Sequence, residues 1–163
     1  MFAFCLADGA LLSAPYDPQA TLSLPADLKS EPASSVSIDE PVIAININQQ
    51  YPHVQNAEDL YHATRGIWRI DRQHAQRAKY AFAIYQGEIK EVYEIDRWIP
   101  VSDETRAYWR KRESDQGRYF PPEVHDGRSE FIGKLAPDAL RKKYVGQLMP
   151  VRHSQNPIRY FNC

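Results

Sequence analysis

Cysteine is scarce in this sequence: 163 residues hold two, Cys5 and Cys163, near opposite ends. They form no Cys-x-x-Cys pair, which argues against a disulfide framework and for a reducing compartment. The five histidines, His53, His62, His74, His125 and His153, fall at no metal-ligand spacing. A metal site needs several converging ligands, so no metal and no other cofactor is expected. P-loop, Gly-x-Gly-x-x-Gly and Gly-x-Ser-x-Gly patterns are missing too, which leaves only chemistry assembled in space rather than in sequence. No apolar run approaches the ~20 residues that cross a bilayer, so no membrane partner is expected. The start, MFAFCLADGALLSAP, has the apolar look of a signal peptide but no positive n-region, and Asp8 interrupts it. A cytoplasmic protein is the expectation.

What is present fits one globular domain, with 43% apolar and 25% charged residues. Aromatics make up 12% and ten of them are tyrosine, a side chain suited to half-buried sheet faces and binding surfaces. The net charge of −1 hides an asymmetry. Residues 1–41 carry six acids and one base, a net of −5, which leaves 15 acids and 19 bases, a net of +4, for residues 42–163. Such a division suits an acidic tail on a body that takes an acidic ligand. Residues 1–41 also hold five of the twelve prolines. The stretch PADLKSEPASSVSIDEP reads as a linker or partly disordered arm, with a short strand or docked segment at 2–12. The domain is expected to span 42–163.

Within it, VIAININ at 42–48 reads as a strand, with Ile43, Ile45 and Ile47 on one side. Asn56 caps a helix over AEDLYHAT, whose Glu58 and Asp59 suit its first turn. Gly66 ends it, 67–70 reads as a short strand, and 71–79 as a second short helix. The most informative stretch is YAFAIYQGEIKEVYEIDRWI, residues 80–99. Two β-branched and aromatic runs joined by Gln86-Gly87 predict a tight hairpin, because glycine supplies the positive φ of a primed turn. Alternation predicts Ile89, Tyr93, Ile95 and Ile99 on one face and Val92 and Trp98 on the other, hence one buried and one partly polar face. Residues 101–128 read as a long charged loop, with a helical turn at 103–112. SEFIGKL is a strand, 137–144 a short helix, and 145–151 and 158–162 closing strands. The fold class is α+β: a small mixed β-barrel with short helices at its openings.

The early strand VIAININ, the helix-then-turn LYHATRGIWRI, the hairpin and the later EFIGKL resemble the PUA-like superfamily, which includes the ASCH, EVE, YTH and SRA domains. The likeness spans roughly 42–162. RGIWR together with the terminal QNPIRYFNC also resembles a bacterial group of such chains. The superfamily resemblance implies nucleic-acid recognition, commonly of a modified or flipped base in an aromatic pocket at the barrel mouth. It also takes in a small amidohydrolase branch whose catalytic residues have no position-by-position match here.

TRGIWR is the sharpest candidate site. An indole can stack on a base, and guanidiniums can pair with phosphates or base edges. Trp68 is therefore the candidate platform, with Arg65 and Arg69 as contacts and Gly66 permitting close ligand approach. The competing reading makes Trp68 a core anchor and the arginines a solvated rim. Gln155 and Asn156 offer the paired donors and acceptors that read a base edge. Arg159 adds charge beside them, and Tyr85 is a candidate second wall. WRKRESDQGR at 109–118 could contact phosphates, but its interleaved acids favour a solvated loop. The expected partner is DNA or RNA. Two alternatives stay open: a small hydrolase acting on a nucleoside or nucleic acid, using Glu91 or Glu94 beside Lys90 or Lys134, and a protein-interaction module docked through residues 1–41.

Overall fold

Gln86 and Gly87 have φ of 51° and 84°, the paired positive values of a primed turn that matches strand twist. In this computed structural model, which describes residues 35–115, 126–150 and 155–163, that turn joins β3 (Tyr80–Tyr85) to β4 (Glu88–Pro100). The expected hairpin is present. The second strand runs thirteen residues, long enough to pair with β3 through its first half and with β5 (Ser129–Leu135) through its second.

β1 (Val42–Asn46) lies parallel to β3, Val42 opposite Tyr80 and Asn46 opposite Ile84. Parallel strands need a crossover connection rather than a tight turn. That crossover carries α1 (Ala57–Arg65), β2 (Gly66–Trp68) and α2 (Arg72–Ala75). α3 (Asp103–Asp115) joins β4 towards β5, α4 (Asp138–Tyr144) follows β5, and β6 (Ile158–Phe161) pairs antiparallel with β1. The result is a curled six-stranded mixed sheet of order β2-β5-β4-β3-β1-β6. It does not close into the expected barrel. Its edges are the three-residue β2 and the four-residue β6, and among the described residues each pairs with one neighbour. Short edges of this kind give a further strand little to pair with.

The central strands are buried on both faces. Ile43, Ile45, Ile47, Ala81 and Ala83 pack under α1 and α2 with Tyr93, Trp98 and Phe131. Val42, Ala44, Tyr80, Phe82 and Ile84 pack on the other side with Val92 and Tyr144 of α4. The expectation of one polar face fails because helices cover both, which is why VIAI and YAFAI are continuous apolar runs. The expected facing along β4 fails for a second reason. Register shifts beside Ala83/Ile84 and between Ile95 and Arg97 each flip the alternation. Ile89 thereby joins Val92 on the α4 side, and Trp98 joins Tyr93 and Ile95 on the α1 side.

Other boundaries shift as well. The charged segment after β4 is a thirteen-residue helix, not a loop with one helical turn. α2 is four residues long, and of the closing strand expected at 145–151 only a Leu148–Glu88 bridge forms within the described part. The end of the acidic segment is docked: Val36 N donates to Leu148 O at 3.2 Å, Lys143 pairs with Asp39 at 2.9 Å, and Tyr144 Oη donates to Glu40. The strand expected at 2–12 and the remainder of the arm lie outside the described residues. No described helix is long and apolar enough to cross a membrane.

Phe82 is fully enclosed, so Phe82→Ala should cost about 3–5 kcal/mol of unfolding free energy. Gly87→Ala should cost roughly 1 kcal/mol, because it forces a Cβ into left-handed backbone. Urea titration of the two variants checks the difference, and equal losses would contradict the assignment of the core to β3.

Candidate functional site

α1 begins with a side-chain cap. Asn56 Oδ1 accepts from Asp59 N at 2.8 Å, and Asp59 Oδ2 accepts from Gln55 N, just before the cap, at 3.1 Å, so one helix-end amide and the amide that precedes the cap are both bonded. The other Asp59 oxygen is free to reach α3. Its Oδ1 accepts from Tyr108 Oη at 2.7 Å and from Arg112 Nη1 at 2.6 Å. Burial alone would raise the Asp59 carboxyl; the bonds from Tyr108, the Gln55 amide and Arg112 outweigh it and hold it below the usual carboxylate range. Burial and the bond to Asp59 push the Tyr108 phenol up to about 12.

The last turn of α1 carries His62 and Arg65. His62 stacks on Tyr108, ring centroids 3.9 Å apart and 15° from parallel. Its Nε2 stands 4.0 Å from Glu58. Burial depresses its pKa below the ordinary 6.5 and the Arg65 charge adds to this, against the opposing charges of Glu58, Glu104 and Glu130. The Arg65 guanidinium lies 5.3 Å from the Tyr61 ring centroid and 3.4 Å from Glu130 Oε1.

Glu130 is the residue that sequence reasoning missed. It sits opposite Gly66 in the β2–β5 ladder and is 0% exposed. A Cβ on Gly66 would stand 2.7 Å from Glu130 Cβ, so this glycine makes room for Glu130 and not, as expected, for a ligand. Glu130 Oε1 also accepts from Ser102 N at 3.1 Å, and Ser102 Oγ in turn caps Thr105 N of α3 at 3.2 Å. A lone glutamate in SEFIGKL gives no sequence signal of burial, because alternate strand positions ordinarily face water.

Seven buried side-chain nitrogens or oxygens among the described residues have no hydrogen-bond partner: His62 Nδ1, Arg65 Nε, Trp98 Nε1, Thr105 Oγ1, Arg106 Nε, Trp109 Nε1 and Glu130 Oε2. Buried polar atoms are nearly always bonded, and an exception calls for a cause. All seven lie on α1, on α3 or on the β4–β5 ladder beside them. This corner is the candidate site.

The sequence-chosen residues scatter around it. Trp68 is 8% exposed, packs in the α1-side core and donates Nε1–H to Thr64 O at 2.8 Å. It is a core anchor and offers no ring face as a platform. Arg65 is committed to Glu130, whereas Arg69 is exposed. Tyr85 stacks on Tyr51 at 4.2 Å beside the hairpin, with Lys90 Nζ 6.0 Å and 5.7 Å from the two ring centroids. Gln155, Asn156 and Arg159 lie before and within β6, the opposite edge of the strand order from β2. Asn156 Oδ1 accepts from Ile158 N at 3.0 Å. Arg65, Trp68 and Arg69 thus lie at the β2 end of the strand order and Gln155, Asn156 and Arg159 at the β6 end. Of the carboxylates proposed for a cavity, Glu91 takes two bonds from Arg141 at 2.8 and 2.9 Å, and Glu94 pairs with Lys134 at 3.7 Å. His125, His153 and residues 116–118 of the expected phosphate-contacting loop lie outside the described residues; 109–115 belong to α3. Among the described residues no three His, Cys, Asp or Glu side chains gather as a metal site. Comparison with protein-family models, curated proteins and solved structures finds no match to this chain.

The depressed His62 pKa has a stability consequence. Near and below pH 6.5 the unfolded chain binds a proton that folded His62 resists. Stability should therefore fall as pH is lowered from about 7, until it passes the folded pKa. Urea midpoints measured between about pH 8 and 5 should show a shallower decline for His62→Gln than for the native chain. Identical slopes would contradict the burial of a neutral imidazole against Tyr108.

Proposed function

We propose that the chain is a nucleic-acid-binding module of the PUA-like type that takes an unpaired, flipped or modified base at the Arg65–Glu130 centre. One observation carries this reading: the fully buried Glu130 leaves Oε2 without a partner, beside Arg65, whose Nε is also unpartnered. Enclosing an unsatisfied polar atom costs about 1–3 kcal/mol, and a ligand that supplies the missing bonds would account for that cost. A carboxylate oxygen next to a guanidinium N–H is an acceptor beside a donor. The Watson–Crick edge of each base offers the reciprocal pair, an N–H beside a ring nitrogen or carbonyl.

Trp68 has no part in this arrangement. Tyr61 and Tyr108, which already face Arg65 and His62, are the flanking rings. Exposed Arg69, Arg110 and Lys111 supply backbone contacts, and the net +4 of residues 42–163 favours a polyanion. The resemblance to PUA-like domains supports the same reading, as does a curled sheet with helices over its faces.

Binding of fluorescent single- and double-stranded DNA and RNA, followed across salt concentration, tests it. The native chain should bind at least one of them at low salt. Glu130→Gln keeps the shape and should weaken binding about 10- to 100-fold with an unchanged salt slope, as expected of a lost base contact. Arg69→Ala should instead lower the slope by about 1. No binding at low salt, or native affinity in a folded Glu130→Gln variant, would overturn the proposal.

A further inference from the structure

We propose that α3 is a hinged cover over the Arg65–Glu130 centre, latched shut by Asp59 and released when a phosphate takes the place of that carboxylate on Arg112 and Tyr108. This rests on the function proposed above and adds its control.

α3 meets the body along one face, where Thr105, Tyr108, Trp109 and Arg112 recur at helical spacing. Among the described residues of that face, Trp109 packs against the core cluster and Thr105 is fully buried. The other links are polar or aromatic. At the N-terminal end, Ser102 fastens the helix to Glu130 and caps it. At the other end, Arg112 bonds to Asp59 and to His53 O, Tyr108 bonds to Asp59, and the Tyr108 ring lies on His62. One end is thus a pivot at the proposed site and the other a latch on the start of α1.

Unpartnered atoms lie on both sides of this contact. Thr105 Oγ1, Arg106 Nε and Trp109 Nε1 belong to α3; His62 Nδ1, Arg65 Nε and Glu130 Oε2 belong to the body. Each is enclosed without a bond in the closed form and would gain water or ligand on opening, so the closed state is held by the latch against that tendency. The Arg112 and Tyr108 donors converge on one carboxylate oxygen, Asp59 Oδ1. A phosphodiester oxygen accepts the same guanidinium and hydroxyl donors. A nucleic-acid backbone arriving at α3 can therefore exchange with Asp59, free the helix and admit its base beneath.

Hydrogen exchange of the full chain without ligand reads the latch directly. In Arg112→Gln and in Tyr108→Phe, α3 amides should exchange about 10-fold faster than in the native chain, with β3 and β4 amides unchanged. Native α3 exchange in both variants overturns the latch. The two substitutions leave the Asn56–Asp59 cap in place, and β3 protection reports whether either variant is globally weakened; equal acceleration of α3 and β3 in both also overturns it. A short oligothymidylate added to the native chain should accelerate α3 exchange in the latch region, and Asp59→Asn should raise its association rate several-fold. If α3 loosens in the variants but no DNA or RNA binds, the phosphate trigger and the proposed function fall together. If oligonucleotide binds with α3 still protected, the trigger alone is overturned.

Discussion

Because parallel strands cannot be joined by a tight turn, the pairing of β1 with β3 obliges the chain to leave the sheet and return. The return path carries α1, β2 and α2. It lays α1 across one face of the sheet and delivers β2 to the far edge, against β5. Gly66 then comes to rest on Glu130 and Arg65 is brought within reach of its carboxylate. The hairpin extends the same consequence. β4 is long enough to hold β3 and β5 together, so the centre of the sheet is apolar on both faces and the polar corner is pushed to the β2–β5 end.

At that corner the energetics differ in kind from the rest of the molecule. The two cores gain from removing apolar area from water, at about 25 cal/mol per Å². The Arg65–Glu130 pair gains its Coulomb attraction only after both charges are desolvated, and such pairs frequently break even against apolar residues of the same shape. With Oε2 and Nε left unpartnered, the balance is poorer than for a fully bonded pair such as Glu91–Arg141, which has two direct bonds. Those unused donors and acceptors are what the binding role proposed above rests on.

Much of the fold was legible in sequence, and the reasons are local. Gln86-Gly87, the Asn56 cap and the apolar runs of β1 and β3 are each set by a few adjacent residues. The open sheet, the flips along β4 and the length of α3 were not, because register shifts and helix docking depend on partners distant in the chain. The site divides along the same line. Arg65 was legible as a nucleic-acid contact candidate and lies 3.4 Å from Glu130, whereas Trp68 in the same motif satisfies its indole N–H one helical turn back on Thr64 O and belongs to the core. Glu130 is 65 positions from Arg65 in the numbering, and nothing in its own neighbourhood marks it. Asp59 was legible as a first-turn acid, whereas its bonds to Tyr108 and Arg112 join segments about 50 residues apart.

A site built from unpartnered polar atoms faces two opposed requirements. Left open to water, the atoms would be bonded and a ligand would gain only the difference between its bonds and those of solvent. Sealed by an apolar element, they would be dry, but the ligand would first have to strip that element from the core. A helix held mainly by charge-assisted hydrogen bonds meets both conditions. It excludes water while closed, and its bonds are of the kind that a phosphate can replace in kind rather than break. Trp109 packs on the core from that face, and this apolar contact favours the closed arrangement as the resting one.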